Sequence, residues 1–429
     1  MKKTLLVIAL AFGAFATMGQ TPEIYVGGLE LTGSGIGVSI SPGVWHNGQF
    51  QPFETGGTLN DIFVSGGDVY AVGYLNNAAM MWINGVSHPI DIAGNYTTAT
   101  GIYISNDNVY VCGMMAGFTG LDAVLLINDN PIGLPRDVSS ALECSVNAVF
   151  VENDIAYIAG STSINDIDTG GMYASLWIVE NNNIYYHILP YRNSEANDIF
   201  VKDGEVYLFG VYKTNGYKPA FCKVLNATTE TPQYETQIIE EEGDFDVFAG
   251  YVDGNNVYMV GGKDQNAEPG NDVMPKACLW SNGNMTFLAD TTYASVAMDI
   301  TVFNHIPYIT GVVSQNVEDI SCYQATLWEN NQAQTLYNGL ATKIFVTEEN
   351  SLYSVLQNQV SVYPNPAIDK FYLEGIDYDY VKIYDLFGRE VLSRGKDKEI
   401  CIENLVKGIY NVRIFADGKV IGNNKLVKQ

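Results

Sequence analysis

Between residues 24 and 346 the chain alternates short apolar runs with polar punctuation and never holds the 3.6-residue period of a surface helix. The runs are rich in Val, Ile, Tyr, Phe and Trp and are separated by Gly, Asn and Asp, the composition of strands joined by tight antiparallel turns. One unit reads Ile62-Phe63-Val64, then Asp68-Val69-Tyr70-Ala71-Val72-Gly73, then Ala79-Met80-Met81-Trp82-Ile83-Asn84-Gly85. The same order returns at Val109-Tyr110-Val111-Cys112-Gly113 with Ala123-Val124-Leu125-Leu126, and at Ala156-Tyr157-Ile158-Ala159-Gly160 with Ala174-Ser175-Leu176-Trp177. Further copies run through Gly210 with Ala220-Phe221-Cys222, Gly261 with Ala277-Cys278-Leu279-Trp280, and Gly311 with Ala325-Thr326-Leu327-Trp328. A partial first copy comprises Ile24-Tyr25-Val26-Gly27 and Gly43-Val44-Trp45-His46-Asn47-Gly48.

With landmark glycines at 27, 73, 113, 160, 210, 261 and 311, the steps are 46, 40, 47, 50, 51 and 50 residues. A repeat of this length, with four strands per unit, predicts an all-β chain whose body, residues 20–357, is a β-propeller of about seven blades. Ala341-Thr342-Lys343-Ile344-Phe345-Val346 matches only the opening strand of a unit, and the first copy lacks that strand. The strand near 341–346 is therefore expected to complete the first blade and close the ring, which removes exposed sheet edges. One Trp at a fixed place in most units (Trp45, Trp82, Trp177, Trp280, Trp328) is what packing between blades requires, so these are read as structural. The unit also looks like propeller-forming repeats with an Ala-x-Leu-Trp-x-Asn-Gly core in exported bacterial proteins, a resemblance that implies fold only.

The ends differ from the body. Lys2-Lys3 followed by the apolar run Leu5 to Phe12 and small residues to Gly19 reads as a signal peptide over 1–19, cleaved on export. No later stretch is apolar for the ~20 residues a bilayer span needs. Residues 20–359 carry 9 Lys and Arg against 38 Asp and Glu, a balance that repels nucleic acid and anionic lipid. The six Cys (112, 144, 222, 278, 322 and 401) form no CxxC pair, and most occupy strand positions, so buried small hydrophobes are expected rather than zinc ligands or disulfides.

Alternating strand direction puts the short turns such as Ser65-Gly66-Gly67 and Asn84-Gly85 on one face and the variable connections after each landmark Gly on the other, where binding on a rigid scaffold usually sits. Those connections carry Asp122, Asp166, Asp168, Glu268, Asp272, Glu318 and Asp319, with Phe118, Tyr173, Tyr217 and Tyr323 nearby. Phe118, Tyr173, Tyr217, Tyr323, Asp166 and Asp168 are the candidate ligand-binding set: an acidic, aromatic rim suited to sugar rings or to Ca²⁺, although each residue alone reads as solvated loop or core. No other cofactor is indicated. The nearest approach to a calcium loop is Asn165-Asp166-Ile167-Asp168-Thr169-Gly170. Catalytic signatures are thin: His46, His88, His187 and His305 fall at different repeat positions, no Gly-x-Ser-x-Gly elbow occurs, and Arg136 and Arg192 are too few for a sialidase arginine cluster. Paired carboxylates are uninformative in so acidic a chain.

Residues 358–429 are a different object, with 11 basic and 10 acidic residues from 360 onward. Val362-Tyr363-Pro364-Asn365-Pro366, then Tyr384-Asp385-Leu386-Phe387-Gly388-Arg389, then Gly408-Ile409-Tyr410-Asn411-Val412-Arg413 and Lys425-Leu426-Val427-Lys428 resemble the type A sorting domain of the Bacteroidetes type IX secretion system. The resemblance implies a small β-sandwich, with Tyr363, Pro364, Asn365, Pro366, Tyr384, Asp385, Gly388, Gly408, Tyr410, Lys425 and Lys428 as its motif. It also implies engagement with the secretion machinery, passage through the periplasm, and release or attachment at the outer surface after a cut near 358–362. The functional expectation is an exported, non-enzymatic propeller that binds glycan or protein, with a polysaccharide hydrolase or lyase as the alternative.

Overall fold

The computed structural model describes residues 22–33, 38–53, 57–92, 97–106, 108–117, 120–136, 141–165, 170–181, 183–214, 216–264, 275–289, 292–316, 319–348, 361–374, 377–385, 390–397, 399–416 and 419–429. The signal peptide and residues 358–360 of the expected cut lie outside them. Six blades follow the chain as four-stranded antiparallel sheets; blade 2, for example, is Gly57–Ser65, Asp68–Leu75, Ala78–Ile83 and Val86–Pro89. Blade 3 opens with Thr97–Ser105, blade 4 with Ala141–Glu152, blade 5 with Ser194–Lys202, blade 6 with Asp244–Asp253 and blade 7 with Ala294–Phe303. These opening strands touch one another in succession around the ring, so they form its inner wall.

The long strand Gln332–Glu348 does two jobs. Its first half pairs with Tyr323–Glu329 as the outer strand of blade 7, and its second half pairs antiparallel with Pro22–Thr32, as in Ile24 with Val346 and Val26 with Ile344. Blade 1 is thus built from both ends of the body, and the ring closes at seven blades.

Each inner strand carries a β-bulge, between Leu59 and Asp61 in blade 2 and at the matching place in the others. The bulge pushes a carbonyl into the neighbouring strand, and this is why the landmark position must be Gly. A Cβ on Gly73 would lie 1.8 Å from Thr58 O, and one on Gly261 1.8 Å from Asp246 O. In blade 1 the same clash, 2.0 Å from Leu340 O, falls on Gly28. The equivalent glycine is therefore Gly28, not Gly27, a correction of one residue fixed by the Tyr-x-x-Gly spacing from Tyr25.

Every blade enters the turn between its third and fourth strands on a left-handed Asn: Asn47, Asn84, Asn128, Asn181, Asn226, Asn282 and Asn330, with φ between 47 and 53°. Asn tolerates this region and supplies a side-chain acceptor. Asn84 Oδ1 takes the Val69 N–H at 2.9 Å, and Asn128 and Asn282 repeat the bond. The five Trp are fully buried and plug the seams between blades: Trp82 stacks 5.8 Å from Phe53 of blade 1, and Trp177 Nε1 donates to Pro135 O of blade 3. Cys112, Cys144, Cys222 and Cys278 are buried free thiols, and the described residues contain no disulfide. No helix among the described residues is long and apolar enough to cross a membrane.

The tail folds as two small sheets. One joins Ser361–Tyr363, Lys370–Glu374 and Ile400–Cys401; the other orders Glu390–Gly395, Tyr380–Tyr384, Gly408–Ala416 and Lys419–Lys428. Phe371, Val381, Ile383, Ile400, Tyr410, Val412, Ile414 and Leu426 form a common core between them. This is the expected sandwich.

Gly261→Ala forces the bulge carbonyl or the ladder to move, and such overpacking costs about 3 kcal/mol or more. Urea unfolding of the full chain should show that loss, whereas Gly133→Ala, where the added Cβ meets nothing within 4 Å, should leave the midpoint near wild type.

Candidate functional site

The repeat stacks equivalent inner-strand residues into tiers around the axis. One tier is Phe63, Tyr103, Phe150, Phe200, Tyr251, Thr301 and Phe345, each half-buried. Neighbouring rings lie 4.6 to 5.3 Å apart from Phe345 through Phe63, Tyr103, Phe150 and Phe200 to Tyr251, and only Thr301 interrupts the collar. Two residues earlier stand Asp61, Gly101, Ala148, Asp198, Ala249, Asp299 and Lys343. The three carboxylates tie blades together: Asp61 Oδ2 accepts from Ile102 N at 2.8 Å, Asp198 Oδ2 from Gly250 N at 2.9 Å, and Asp299 Oδ2 from Ile344 N at 2.9 Å. At the bulge, Asn60, Asn147 and Asn197 each donate to a carbonyl of the next blade at 2.7 to 2.8 Å.

Burial pushes Asp61 up to about 6 and Asp198 to about 7, against the pull of Lys343 and the backbone amides, and Asp299 moves the same way. Burial disfavours the Lys343 ammonium, but Asp299, Asp61 and Asp198 outweigh it, so Lys343 stays charged. The closing strand thus delivers the one cation of a tier that holds three acids.

The other end of each blade, where second and third strands connect, presents a second grouping across blades 4 to 6. Tyr173, Tyr191, Tyr212 and Tyr217 lie at strand ends there, each half-buried. Tyr191 and Tyr212 meet edge to face at 5.8 Å, and Lys213 Nζ sits 4.6 Å over the Tyr217 ring. Tyr217 N donates to Asp244 Oδ1 at 2.8 Å, tying blade 5 to blade 6. Burial, then the charge of Asp246, raises Glu195; burial, then Asp264 and Asp244, raises Asp246.

Of the residues picked from sequence, Tyr173 and Tyr217 fall in this grouping, while Tyr323 occupies the same level in blade 7, away from both. Phe118, Asp166 and Asp168 lie outside the described residues. Asp122 is held by Arg136 at 3.1 Å and Asp319 by Ser321 N and Oγ at 3.0 and 2.6 Å, so both are locally satisfied. Among the described residues no three His, Cys, Asp or Glu side chains group to hold a metal ion. Tyr191, Tyr212, Glu195 and Asp246 escaped the sequence reading because their runs read as strand interior rather than as the connections between strands.

In the tail, Tyr363 is exposed and stacks on Tyr372 at 5.4 Å, and cis peptides precede Pro364 and Pro366. Asn365 Oδ1 accepts from Val427 N at 2.8 Å. Gly408 opens a strand, Tyr410 is buried with its hydroxyl on Val406 O at 2.7 Å, and Lys428 is buried beside the terminus. Tyr384 is buried under the Arg413 guanidinium, 4.7 Å from its ring centroid, and Asp385 follows it at the strand end. Lys425 pairs with Asn411 in the last ladder, and Gly388 lies outside the described residues.

The channel acids give stability a pH dependence whose sign is fixed. In the unfolded chain they ionise near pH 4, whereas the folded chain holds the protons of Asp61 to about 6 and of Asp198 to about 7, with Asp299 raised in the same direction, so stability falls as pH rises between about 4 and 7. Lys343 contributes fully at every pH below the ordinary lysine range of about 10. The urea midpoint should drop from pH 5 to pH 8, Asp198→Asn should flatten the drop while keeping an acceptor for Gly250, and Lys343→Met should deepen it. A midpoint independent of pH would contradict the assignment.

Residues 361–429 match the family described as the secretion system C-terminal sorting domain. No curated protein matches the chain significantly. Among solved structures, the chain is similar to the β-propeller domain of the Trilobed protease from Pyrococcus furiosus, with 11% identity, 72% of this chain and 96% of that one covered, and a TM-score of 0.46. It is also similar to YjhT (12% identity, 66% and 97% covered, TM-score 0.42) and to the Trypanosoma rangeli sialidase (10%, 71% and 56%, 0.42). The sheet order closes a propeller, and the strand-rich tail behind it, residues 361–429, is a secretion system C-terminal sorting domain, which implies export by type IX secretion.

Proposed function

We propose that the exported propeller is a capture module that binds an extracellular glycan or a sugar-bearing protein at the loop end of blades 4 to 6, either released or held at the cell surface. The observation that carries this reading is that two adjacent seams at this end carry aromatic edges, Tyr191 against Tyr212 between blades 4 and 5 and Tyr217 tied to Asp244 between blades 5 and 6, with Tyr173 at the same level. Flat rings next to acceptor carboxylates suit the apolar faces and hydroxyls of sugars. Calcium adds to such a site only through loop carboxylates and is treated as a variable of the test.

A second reading, an exported polysaccharide hydrolase or lyase, is favoured by one observation. Burial raises both Glu195 and Asp246 from their ordinary values, the direction in which a general acid is tuned.

Incubating the purified chain with insoluble polysaccharides, with and without Ca²⁺, and scoring retained protein and new reducing ends in the same wells separates the two. Saturable retention without release is expected. Tyr212→Ala and Tyr217→Ala should each weaken retention roughly tenfold, the equivalent of ~1.4 kcal/mol. Release of product that disappears in Glu195→Gln would replace the capture reading with the enzymatic one.

A further inference from the structure

The sorting domain has an outward face that is not exposed. In the strand Gly408–Ala416, Tyr410, Val412 and Ile414 point into the sandwich core, so Asn411 and Arg413 point away from it. In Tyr380–Tyr384, Val381 and Ile383 point inward and Tyr384 outward. Outward residues of a free sandwich meet solvent. Yet Tyr384 is 2% exposed and Arg413 7% exposed.

Arg413 lies over the Tyr384 ring, and what meets Asn411 and Arg413 from outside is the propeller's own turn between the first two strands of blade 2. Asn411 Nδ2 donates to Asp68 Oδ2. Asp68 is itself only 5% exposed and is oriented by Asn84 Nδ2, which donates to its other oxygen at 2.8 Å. The guanidinium of Arg413 passes over Gly66, where an added Cβ would lie 3.5 Å from Arg413 Cζ. That turn is Gly66-Gly67, with φ of 59 and 84°. Blades 4 and 7 use Asn153 and Asn304 at the first position, with φ of 53 and 51°, so the conformation does not itself demand Gly. The bare turn instead makes room for the arginine.

The geometry points to an intramolecular dock: the sorting domain rides against the turn end of blade 2 through Asn411 and Arg413, with Tyr384 beneath the arginine, and the propeller masks this face of the export signal. The sheet carrying Tyr363 and Tyr372 stays uncovered for the secretion machinery, and the loop end of the propeller stays free for a ligand. A buried arginine stacked on an aromatic ring, next to an asparagine bonded to a buried aspartate of the propeller, is a directional contact, which a flexible tether alone does not produce. Folding of the propeller then precedes presentation of the tail in its docked form.

Gly66→Asn tests this without disturbing the turn, because Asn adopts the same φ in other blades while its side chain projects at Arg413. In hydroxyl-radical footprinting of the full chain, Tyr384 of the wild type should label far more slowly than the exposed Tyr363. Gly66→Asn and Asp68→Ala should each raise Tyr384 labelling by roughly tenfold or more, the population shift that ~1.4 kcal/mol of lost contact produces. Trp82 should remain protected in both variants, which reports an intact propeller, and small-angle scattering should show a larger radius of gyration. Wild-type Tyr384 labelling as fast as Tyr363, or labelling unchanged in Gly66→Asn with Trp82 protected, overturns the dock.

Discussion

Strand Pro22–Thr32 has no inner neighbour in its own stretch of chain and finds one at the far end of the repeat array, where Thr342 Oγ1 reaches Gly27 O across a separation of 315 residues. The other six blades take all four strands from consecutive sequence, so each can form locally. Blade 1 forms only when the whole array has curved far enough for its ends to meet. Without that ladder both ends of the array would present unpaired strand edges, the feature that drives sheet proteins to associate. With it, Lys343 enters the channel on the same strand and meets Asp61, Asp198 and Asp299. Geometry and charge therefore converge on one segment, and the order of the loop end depends on it, since a ring that opens no longer holds blades 4 to 6 at fixed angles.

Much of this was legible in the sequence because the repeat is strict where packing is strict. The landmark glycines face a bulge carbonyl that excludes any Cβ, the turn asparagines hold a left-handed backbone, and the Trp residues plug seams, so these positions recur and can be aligned by eye. The unmatched strand near 341–346 was readable for the same reason. The register of the first copy was not, because Gly27 and Gly28 are adjacent and only the bulge distinguishes them. The sorting motif was legible because its prolines, glycines and tyrosines sit at the corners of a sandwich.

The channel and the loop-end grouping were hidden for different reasons. Asn60-Asp61-Ile62-Phe63-Val64 and Asn197-Asp198-Ile199-Phe200-Val201 are identical pentapeptides, so the acidic tier left a trace in the sequence. But Asp299 stands alone in blade 7 and Lys343 alone in blade 1, and only a closed ring brings the four together. Tyr191, Tyr212, Glu195 and Asp246 fall inside strands, where aromatic residues ordinarily read as core. What exposes their edges is the end of each strand at the rim, which hydrophobic patterning does not mark. Loop residues were the natural place to search, and two of them, Asp122 and Asp319, proved to be engaged with local partners.

The division of labour that emerges is spatial. Turn ends of the blades carry the dock for the sorting domain, the channel carries the electrostatic closure, and loop ends carry the aromatic and acidic grouping. Ring closure by the two ends of the propeller body is the element on which all three rest, and native-state hydrogen exchange tests it directly. The account predicts that amides paired between Pro22–Thr32 and the second half of Gln332–Glu348 exchange only with global unfolding, at the same free energy as the inner ladders of blades 4 and 5. Exchange of that ladder at a markedly lower free energy, with the other blades still protected, would show that the ring opens on its own and would contradict the account.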